Sequence, residues 1–233
     1  MKTVLRLALL LLQAAAMPLW AAFESITIEV TEDPEMPAAL RMNGLTNGRV
    51  IIAIDVGPDG QLADWLVLSA SHKELIKPCI AALQRWHYTP ARYEGQPVLA
   101  QMRLSIDISQ TGAVVSRTAI DTANDLIEKL MGRRPDYQAC PADEIDRQPV
   151  AVTTVSPRYS SDAEKVGVRG RVKVHFFIDE KGDVRMPAVQ ADAHPYLSSM
   201  AIEALKGWKF EPPTSRGRPV LVAAAQEFSF GGE

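Results

Sequence analysis

Histidines and paired acids are the side chains of this sequence whose types could support acid–base catalysis or metal binding. His72 and His194 lie at equivalent places in two similar stretches of the chain, and Asp179 and Glu180 are adjacent. A zinc site requires three or four nitrogen, sulfur or carboxylate ligands held close together. One histidine in each stretch does not supply that set, so the pattern predicts turn or helix-start positions for both histidines and no metal site.

The sequence contains none of the motifs by which common enzyme classes are recognised. It has no GxSxG nucleophile elbow, HExxH helix, Walker phosphate loop or GxGxxG turn. Asp55, Asp179 and Glu180 follow apolar stretches, which indicates strand ends and turns rather than an acid and base pair. We therefore predict a protein that is not an enzyme and that uses no cofactor and no small-molecule substrate.

Composition and charge favour a folded protein that does not bind nucleic acid. Hydrophobic residues make up 47% of the 233 residues, which is ordinary for a chain with a packed core. The formal net charge is -3, and lysines and arginines form no stripe that could follow a phosphate backbone. Nucleic acid is thus not an expected partner.

Residues 1–22 have the three parts of a secretory signal peptide. Two basic residues precede an apolar run over residues 7–16, and small residues suited to cleavage follow it. Export with cleavage is the expectation. The alternative is a retained membrane anchor, for which the apolar segment is short and interrupted by Gln13 and Pro18.

The two cysteines, Cys79 and Cys140, would meet an oxidising compartment after export. A disulfide between them is one interpretation. The other is a small buried residue at Cys79 on a helix and an incidental thiol at Cys140.

Two segments of the chain repeat each other. Residues 85–99 read RWHYTPARYEGQPVL and residues 207–221 read GWKFEPPTSRGRPVL. The match continues upstream without a gap at the same offset of 122 positions, as for Gly48 with Gly170. Ungapped self-similarity of this length indicates internal duplication, so the sequence predicts two tandem domains of one fold.

Each copy has the pattern strand, hairpin turn, strand, helix, strand. Alternating apolar residues predict the strands, and a helical period predicts the segment that ends at the repeated tryptophan. The predicted fold class is α+β, with each ββαβ copy forming a three-stranded antiparallel sheet on one helix. The strands are predicted at 50–56, 62–70 and 98–108 in the first copy and at 172–178, 184–191 and 220–230 in the second.

The same pattern predicts which strands lie at sheet edges. Pro187 has no N–H to donate, which places strand 184–191 at an edge. The strand at 220–230 is then the opposite, free edge. Trp86 and Trp208 mark the corners where helix, turn and sheet meet, and are expected to anchor the two small cores.

Residues 110–156 separate the copies and are predicted to form a linker. Asp121 caps an amphipathic stretch, which predicts a short helix at 121–131. The rest is rich in proline, aspartate and glutamine, as connecting segments are. The predicted domains are 34–109 and 157–230.

The second copy resembles the C-terminal domain of TonB, the energy-transducing protein of the bacterial envelope. The resemblance is carried by Gly170 with the alternating strand after it, by the helix that ends at Trp208, and by the closing strand to Phe230. Tyr159 corresponds to the tyrosine of the family's Pro-x-Tyr-Pro segment. The first copy has the same motifs with a less similar entry segment, and is interpreted as diverged.

The resemblance implies a periplasmic protein that binds other envelope proteins by pairing an edge strand with an extended peptide, in association with TonB-type transport. Inner-membrane anchoring is the alternative location. A proline-rich spacer, which full energy transducers have, does not follow the N-terminal segment, so energy transduction by this chain alone is not expected.

The resemblance also carries over a partner-binding site. It consists of Tyr159 and most of the last strand, and residues 98–108 are the equivalent strand of the first copy. A proline at Val222 or Ala224 is expected to block this strand without unfolding the protein. The strand residues assigned to binding are Val220, Leu221, Val222, Ala223, Ala224, Ala225, Gln226, Phe228 and Phe230.

Two functional classes remain open. The first is a binding module that receives a strand from an envelope protein or pairs with another copy of itself. The second is a structural periplasmic scaffold with no energy-transducing role, in which the third strands of both copies pair into one continuous sheet and leave no free edge.

Cleavage of the predicted signal peptide has a direct test. We expect N-terminal sequencing of the protein from the envelope fraction to begin near Ala22 or Phe23, because small residues follow the apolar run. An intact Met1 in the membrane fraction would show instead that the segment is a retained anchor.

Overall fold

The computed structural model describes residues 23–117, 135–158, 167–189 and 194–231. The predicted signal peptide, the predicted helix at 121–131 and Tyr159 lie outside the described residues. The chain has few helices and several small antiparallel sheets, which confirms the α+β class. No helix in the described ranges is long and apolar enough to cross a membrane.

The first half of the chain begins with short strands and continues into long ones. Helix α1 covers Ala38–Met42, and helix α2 covers Ile76–Leu83 after a 3₁₀ turn at Lys73–Leu75. The strands are β1 (Phe23–Glu24), β2 (Thr27–Glu29), β3 (Asn47–Val56), β4 (Leu62–Ala70), β5 (His87–Thr89), β6 (Ala91–Tyr93), β7 (Gln96–Val98), β8 (Ala100–Ser109) and β9 (Gly112–Arg117).

The remaining elements include one long helix, α3, at Pro195–Lys206. The strands are β10 (Tyr137–Gln138), β11 (Ala151–Thr153), β12 (Gly170–Ile178), β13 (Val184–Val189), β14 (Lys209–Phe210), β15 (Thr214–Ser215), β16 (Arg218–Pro219) and β17 (Val222–Phe230).

The first sheet contains five strands in the order β10-β4-β3-β8-β9, and each neighbouring pair is antiparallel. Alternate residues of its central strand β3 point to one face, as the two-residue period of a strand requires. That face packs on the helical segment through Leu75, Cys79 and Leu83, all fully buried. The β3 residues on it are Val50, Ile52, Ile54 and Val56.

The second sheet contains three strands in the order β13-β12-β17, both pairs antiparallel. One face packs on α3 through Leu197, Ala201 and Leu205, where the alanine lets helix and sheet approach closely. The sheet contributes Val172, Val174, Phe176, Ile178, Val222, Phe228 and Phe230 to this core.

Two predictions about the first copy are wrong, and a third has a different boundary. Its sheet has five strands rather than three, because β9 and β10 come from the segment 110–156 that composition assigned to a linker. The strand predicted at 98–108 is interrupted at Leu99, and its long part, β8, is interior to the sheet. The segment predicted to be helical up to Trp86 contains α2, which ends at Leu83.

The turn between the first two strands of each sheet depends on glycine. Gly60 and Gly182 have φ values of 74° and 82°, in the left-handed region that a side chain disfavours. A Cβ added at Gly182 would also lie 2.0 Å from the carbonyl oxygen of Phe210. The absence of a side chain at Gly182 therefore lets the turn lie directly against the strand that follows the helix.

The two repeated tryptophans lie at corresponding corners. Trp86 is 4% exposed, and its indole N–H donates to the carbonyl oxygen of Glu32 at 2.8 Å. Trp208 is only partly buried; its indole N–H donates to the carbonyl oxygen of Val155 at 2.9 Å, and its ring meets Phe228 edge-on. Each ring therefore ties the end of a helix to the segment that enters its sheet.

A third apolar cluster joins the two sheets through the faces that their helices do not cover. The first sheet contributes Ala53, Leu66 and Leu68, and the second half contributes Phe177, Met186 and Leu221. Arg185 adds an ion pair to this contact, with its guanidinium 2.6 Å from the carboxylate of Asp64. The two sheets therefore share a contact instead of being separated by a free linker.

A bulge in β13 shapes this contact. The register between β12 and β13 shifts between His175 and Phe177, and Met186 has a φ of 49°. That conformation costs about 1–3 kcal/mol for a residue with a side chain. In return Met186 is 2% exposed and lies in the cluster between the sheets, beside Arg185 of the ion pair. The bulge thus directs two consecutive side chains at the first sheet.

The corner tryptophans allow a test of core anchoring. Replacing Trp86 with alanine should lower the free energy of unfolding by about 3–5 kcal/mol, since a buried aromatic ring is lost. Trp86→Phe is the matched control, because it keeps most of the ring volume and should lose only about 1–2 kcal/mol with the hydrogen bond to Glu32. Urea unfolding followed by circular dichroism measures both. Equal losses for the two variants would contradict the assignment of a packing role.

Candidate functional site

The histidines and paired acids considered for catalysis in the sequence analysis lie at helix starts and in a turn. His72 and His194 each precede a helical segment, at the N-cap positions. The Asp179 carboxylate accepts the N–H groups of Lys181 and Asp183, both at 2.9 Å, which closes a turn. Within the described residues no group of three or more histidine, cysteine, aspartate or glutamate side chains is arranged to hold a metal ion.

The two long strands that flank β3 in the first sheet, β4 and β8, are each paired on their outer side with a shorter strand. Strand β10 pairs with β4, and the N–H of Ala139 extends this pairing to the carbonyl oxygen of Leu68 at 2.8 Å. Strand β9 pairs with β8 over six residue pairs, from Leu104 with Arg117 to Ser109 with Gly112. The prediction that residues 98–108 form a free binding strand is therefore wrong, because β9 occupies that position.

The two edges of the second sheet differ from each other. Edge strand β13 contains the bulge and Pro187, which has no N–H, and it lies against the first sheet through Met186. Edge strand β17 pairs with β12 along its nine residues. On its other side the described chain makes one contact, at the beginning, where Cys140 bridges to Val222. Beyond that bridge, no strand of the described residues pairs with β17.

Strand β17 and β8 do not pair with each other in the described structure, since each has a different neighbour. The continuous sheet that would define the scaffold alternative is therefore not formed. Among the described residues, the side of β8 that β9 pairs with corresponds to a side of β17 that has no partner strand beyond Val222.

Hydrogen-bond alternation shows which backbone groups of β17 point outward. The N–H of Cys140 donates to the carbonyl oxygen of Leu221 at 2.7 Å, from the side opposite β12. Backbone groups of successive strand residues point to opposite sides. The outward groups are therefore those of Ala223, Ala225, Glu227 and Ser229. The expectation that proline at Val222 or Ala224 would spare the fold is corrected, because their N–H groups point toward β12.

Side chains along β17 alternate in burial. Val222, Phe228 and Phe230 are at most 6% exposed and belong to the core on α3. Ala223 and Ala225 are exposed and small, so they leave the outer edge accessible to another backbone. Near the far end, Glu227 lies 3.7 Å from Arg171 of the neighbouring strand. The edge thus combines unpaired backbone groups with little steric bulk.

Several predicted site residues have other roles. Leu221 is 1% exposed and lies in the cluster between the sheets, and Val222 is bridged to Cys140. Val220 precedes the strand and donates its N–H to the carbonyl oxygen of Pro213 at 2.9 Å. These three residues position the strand, whereas Ala225 and the residues after it line the part that no described strand pairs with.

Both cysteines are free thiols in this structure. Cys79 is fully buried on α2 in the first core, and burial raises the pKa of its thiol to about 12. Cys140 instead pairs its backbone with the start of β17 in the second sheet. The two side chains therefore lie in different parts of the fold.

Asp146 is a positioning residue that sequence analysis missed. Its carboxylate accepts the N–H groups of Arg216 at 2.7 Å and Gly217 at 2.8 Å, in the hairpin just before β17. These backbone N–H groups, with Gly217 contributing most, hold the pKa of Asp146 below its usual value. Both hairpin residues have positive φ, as the tight turns of hairpins require. Asp146 and Cys140 lie in the segment predicted to be a linker, where no local pattern indicated them.

The fold therefore defines an α+β protein with small antiparallel sheets, one of which has an unpaired edge within the described residues. A family profile described as Gram-negative bacterial TonB protein C-terminal matches residues 32–115 and 155–231, more than half of the chain. This chain belongs to the TonB C-terminal family.

Two relatives illustrate the similarity. Protein TonB of Vibrio cholerae serotype O1 is 31% identical over 77 residues, covering 33% of this chain and 32% of that protein. The chain thus spans about a third of the length of this curated relative. The solution NMR structure of the Pseudomonas aeruginosa TonB CTD is 27% identical with a TM-score of 0.33, covering 41% of this chain and 95% of that one.

Two neighbouring alanines test the assignment of outward backbone groups. Ala225→Pro should change the free energy of unfolding by less than about 1 kcal/mol, because an edge position tolerates the loss of an outward N–H. Ala224→Pro should cost about 2–3 kcal/mol, because it removes an N–H that points toward β12. Urea unfolding of both variants, with Ala225→Thr as a control that keeps the N–H, measures the difference. Equal destabilisation by both prolines would show that the orientation is reversed.

Proposed function

We propose that this protein binds an extended segment of another envelope protein on the outer edge of β17, as part of TonB-type transport across the outer membrane. The observation that carries the proposal is that no strand of the described residues pairs with the outward backbone groups of Ala225, Glu227 and Ser229. An added strand would receive main-chain hydrogen bonds from these residues, which is how β-augmentation supplies affinity.

The side chains along this edge support the same proposal. Ala223 and Ala225 present little bulk on the exposed face, and Phe228 and Phe230 keep the core covered on the other. A strand of this length that no described strand covers on its outer side is a liability for aggregation. A docking function accounts for an edge strand that stays accessible in spite of this liability.

The proposal also covers the cellular location of the protein and the origin of its two halves by duplication. The signal-peptide pattern of residues 1–22 and the membership of the TonB C-terminal family favour a periplasmic protein. The repeat at an offset of 122 positions, with Gly48 opposite Ile108 and Gly170 opposite Phe230, favours two tandem ββαβ units derived by duplication.

A structural role for the first half is a second candidate. Its sheet uses β9 and β10 to pair the edges of β8 and β4, and it packs on the second half through Leu66 and Leu68. In this arrangement the first half is a scaffold that supports the β17 edge.

Site-specific photo-crosslinking in cells tests the proposed function. A photoreactive amino acid at Ser229, beside the open edge, should form discrete adducts with envelope proteins identified by mass spectrometry. The same group at Val114, which is 67% exposed on β9, is the matched control and should not form these adducts.

The adducts should disappear when Ala225→Pro is combined with the Ser229 crosslinker, since the proline removes an outward N–H. They should persist with Ala225→Thr. Adducts that are unchanged by Ala225→Pro would contradict binding by strand addition on this edge.

A further inference from the structure

The strand that closes the first sheet occupies the position equivalent to the open edge of the second. Strands β8 and β17 pair with β3 and β12 in the same register once residue numbers are offset by 122. Gly48 faces Ile108 as Gly170 faces Phe230, and Val50 faces Ile106 as Val172 faces Phe228. Strand β9 then lies on the side of β8 that corresponds to the unpaired side of β17.

On this basis we propose that β9 is a built-in equivalent of the partner strand, so that the chain accepts one partner segment, on β17 alone. This inference rests on the proposed function. It specifies the chemistry of the partner: about six residues in extended form, with small apolar side chains at two alternate positions that face the helix.

The side chains of β9 show this chemistry. Ala113 and Val115 pack against the first core, directly opposite Ile108 and Ile106. Val114 between them is 67% exposed. Only small or medium apolar groups at the inward positions complete the core without forcing the strand away from its neighbour.

Differences between the two edges explain why one is closed and the other open. Where β8 has Ile106 and Ile108, β17 has Phe228 and Phe230, and these larger rings are only 6% and 5% exposed although no strand of the described residues lies on the outer side of β17 there. Trp208 covers Phe228 further, with ring centroids 5.7 Å apart. The second core is therefore closed by its own side chains, which allows a partner strand to come and go.

A third position supports this difference. Leu104 on β8 is fully buried, whereas the equivalent Gln226 on β17 is half-buried and donates its amide to the carbonyl oxygen of Glu227 at 2.8 Å. A polar residue is tolerated there because water reaches the open edge. In the first sheet the same site faces Arg117 of β9.

Local contacts keep β9 in place. The hydroxyl of Ser109 donates to the carbonyl oxygen of Gly112 at 2.9 Å, across the two-residue connection between the strands. The N–H of Ala113 donates to the carboxylate of Asp33 at 3.3 Å on the outer side of β9. A covalently attached strand has a high effective concentration, so it excludes a free peptide from the first edge.

Transplanting β9 onto the second edge tests the inference. The residues Gly231, Gly232 and Glu233 correspond in spacing to Ser109, Gln110 and Thr111. Appending GAVVSR, the sequence of β9, directly after Glu233 therefore recreates the two-residue connection. In the full-length chain, the amides of Glu227 and Ser229 should then exchange with deuterium at least about tenfold more slowly.

Two matched extensions isolate pairing from side-chain chemistry. GAPVSR carries proline at the position of Val114, which should prevent pairing and restore fast exchange. GDVDSR places carboxylates at the two inward positions and should also leave the edge unprotected, since buried unpaired charges are unfavourable.

The possible results separate this inference from the proposed function. Protection by GAVVSR alone, with loss of the Ser229 adducts, would support both. Unchanged exchange with GAVVSR, or equal protection by GDVDSR, would overturn the inference while the crosslinking result stands on its own. Protection with undiminished Ser229 adducts would overturn the proposed function and the inference with it.

Discussion

Pairing of backbone hydrogen-bonding groups is the constraint on which the rest of this structure depends. A strand at the edge of a sheet leaves half of its N–H and C=O groups without a partner in the sheet, and a protein must pair, cover or interrupt them. This chain uses all three solutions: β9 and β10 pair two edges, and the bulge with Pro187 interrupts a third. Within the described residues, the edge of β17 beyond Val222 receives none of them.

The contact between the two sheets determines which edge strand of the second sheet is covered and which is left accessible. Met186 adopts an unfavourable backbone conformation and is buried against Leu66 and Leu68, while Arg185 pairs with Asp64. Burial raises the pKa of the neighbouring Asp55 above its ordinary value, and the amide of Gln101, which also contacts the carbonyl oxygen of Met186, opposes that rise. With β13 committed to this contact, the second sheet can offer only β17.

The segment that connects the halves contributes more to this arrangement than its composition suggests. Residues Ala139 and Cys140 pair in succession with the first sheet and with the start of β17, and Asp146 holds the hairpin that leads into β17. The side chain of Tyr137 spans the halves as well, donating to Glu180 at 3.1 Å. The orientation of the open edge is thus set by short contacts from a region with little regular structure.

Sequence alone determined the α+β class and the order of the long strands and the helix in each half. It also determined the family membership that the repeated Gly and Trp positions indicate. These features are local: alternation, helical period and turn glycines are set by neighbouring residues and by the need to bury one face. It did not determine that β9 would pair with β8, or that Cys140 and Asp146 would position β17. Such contacts join residues far apart in the chain, and the short strands that make them have too few residues to show a period. The closure of one equivalent edge and the exposure of the other were decided only by tertiary structure, because hydrogen-bond pairing between strands depends on which segment arrives beside them.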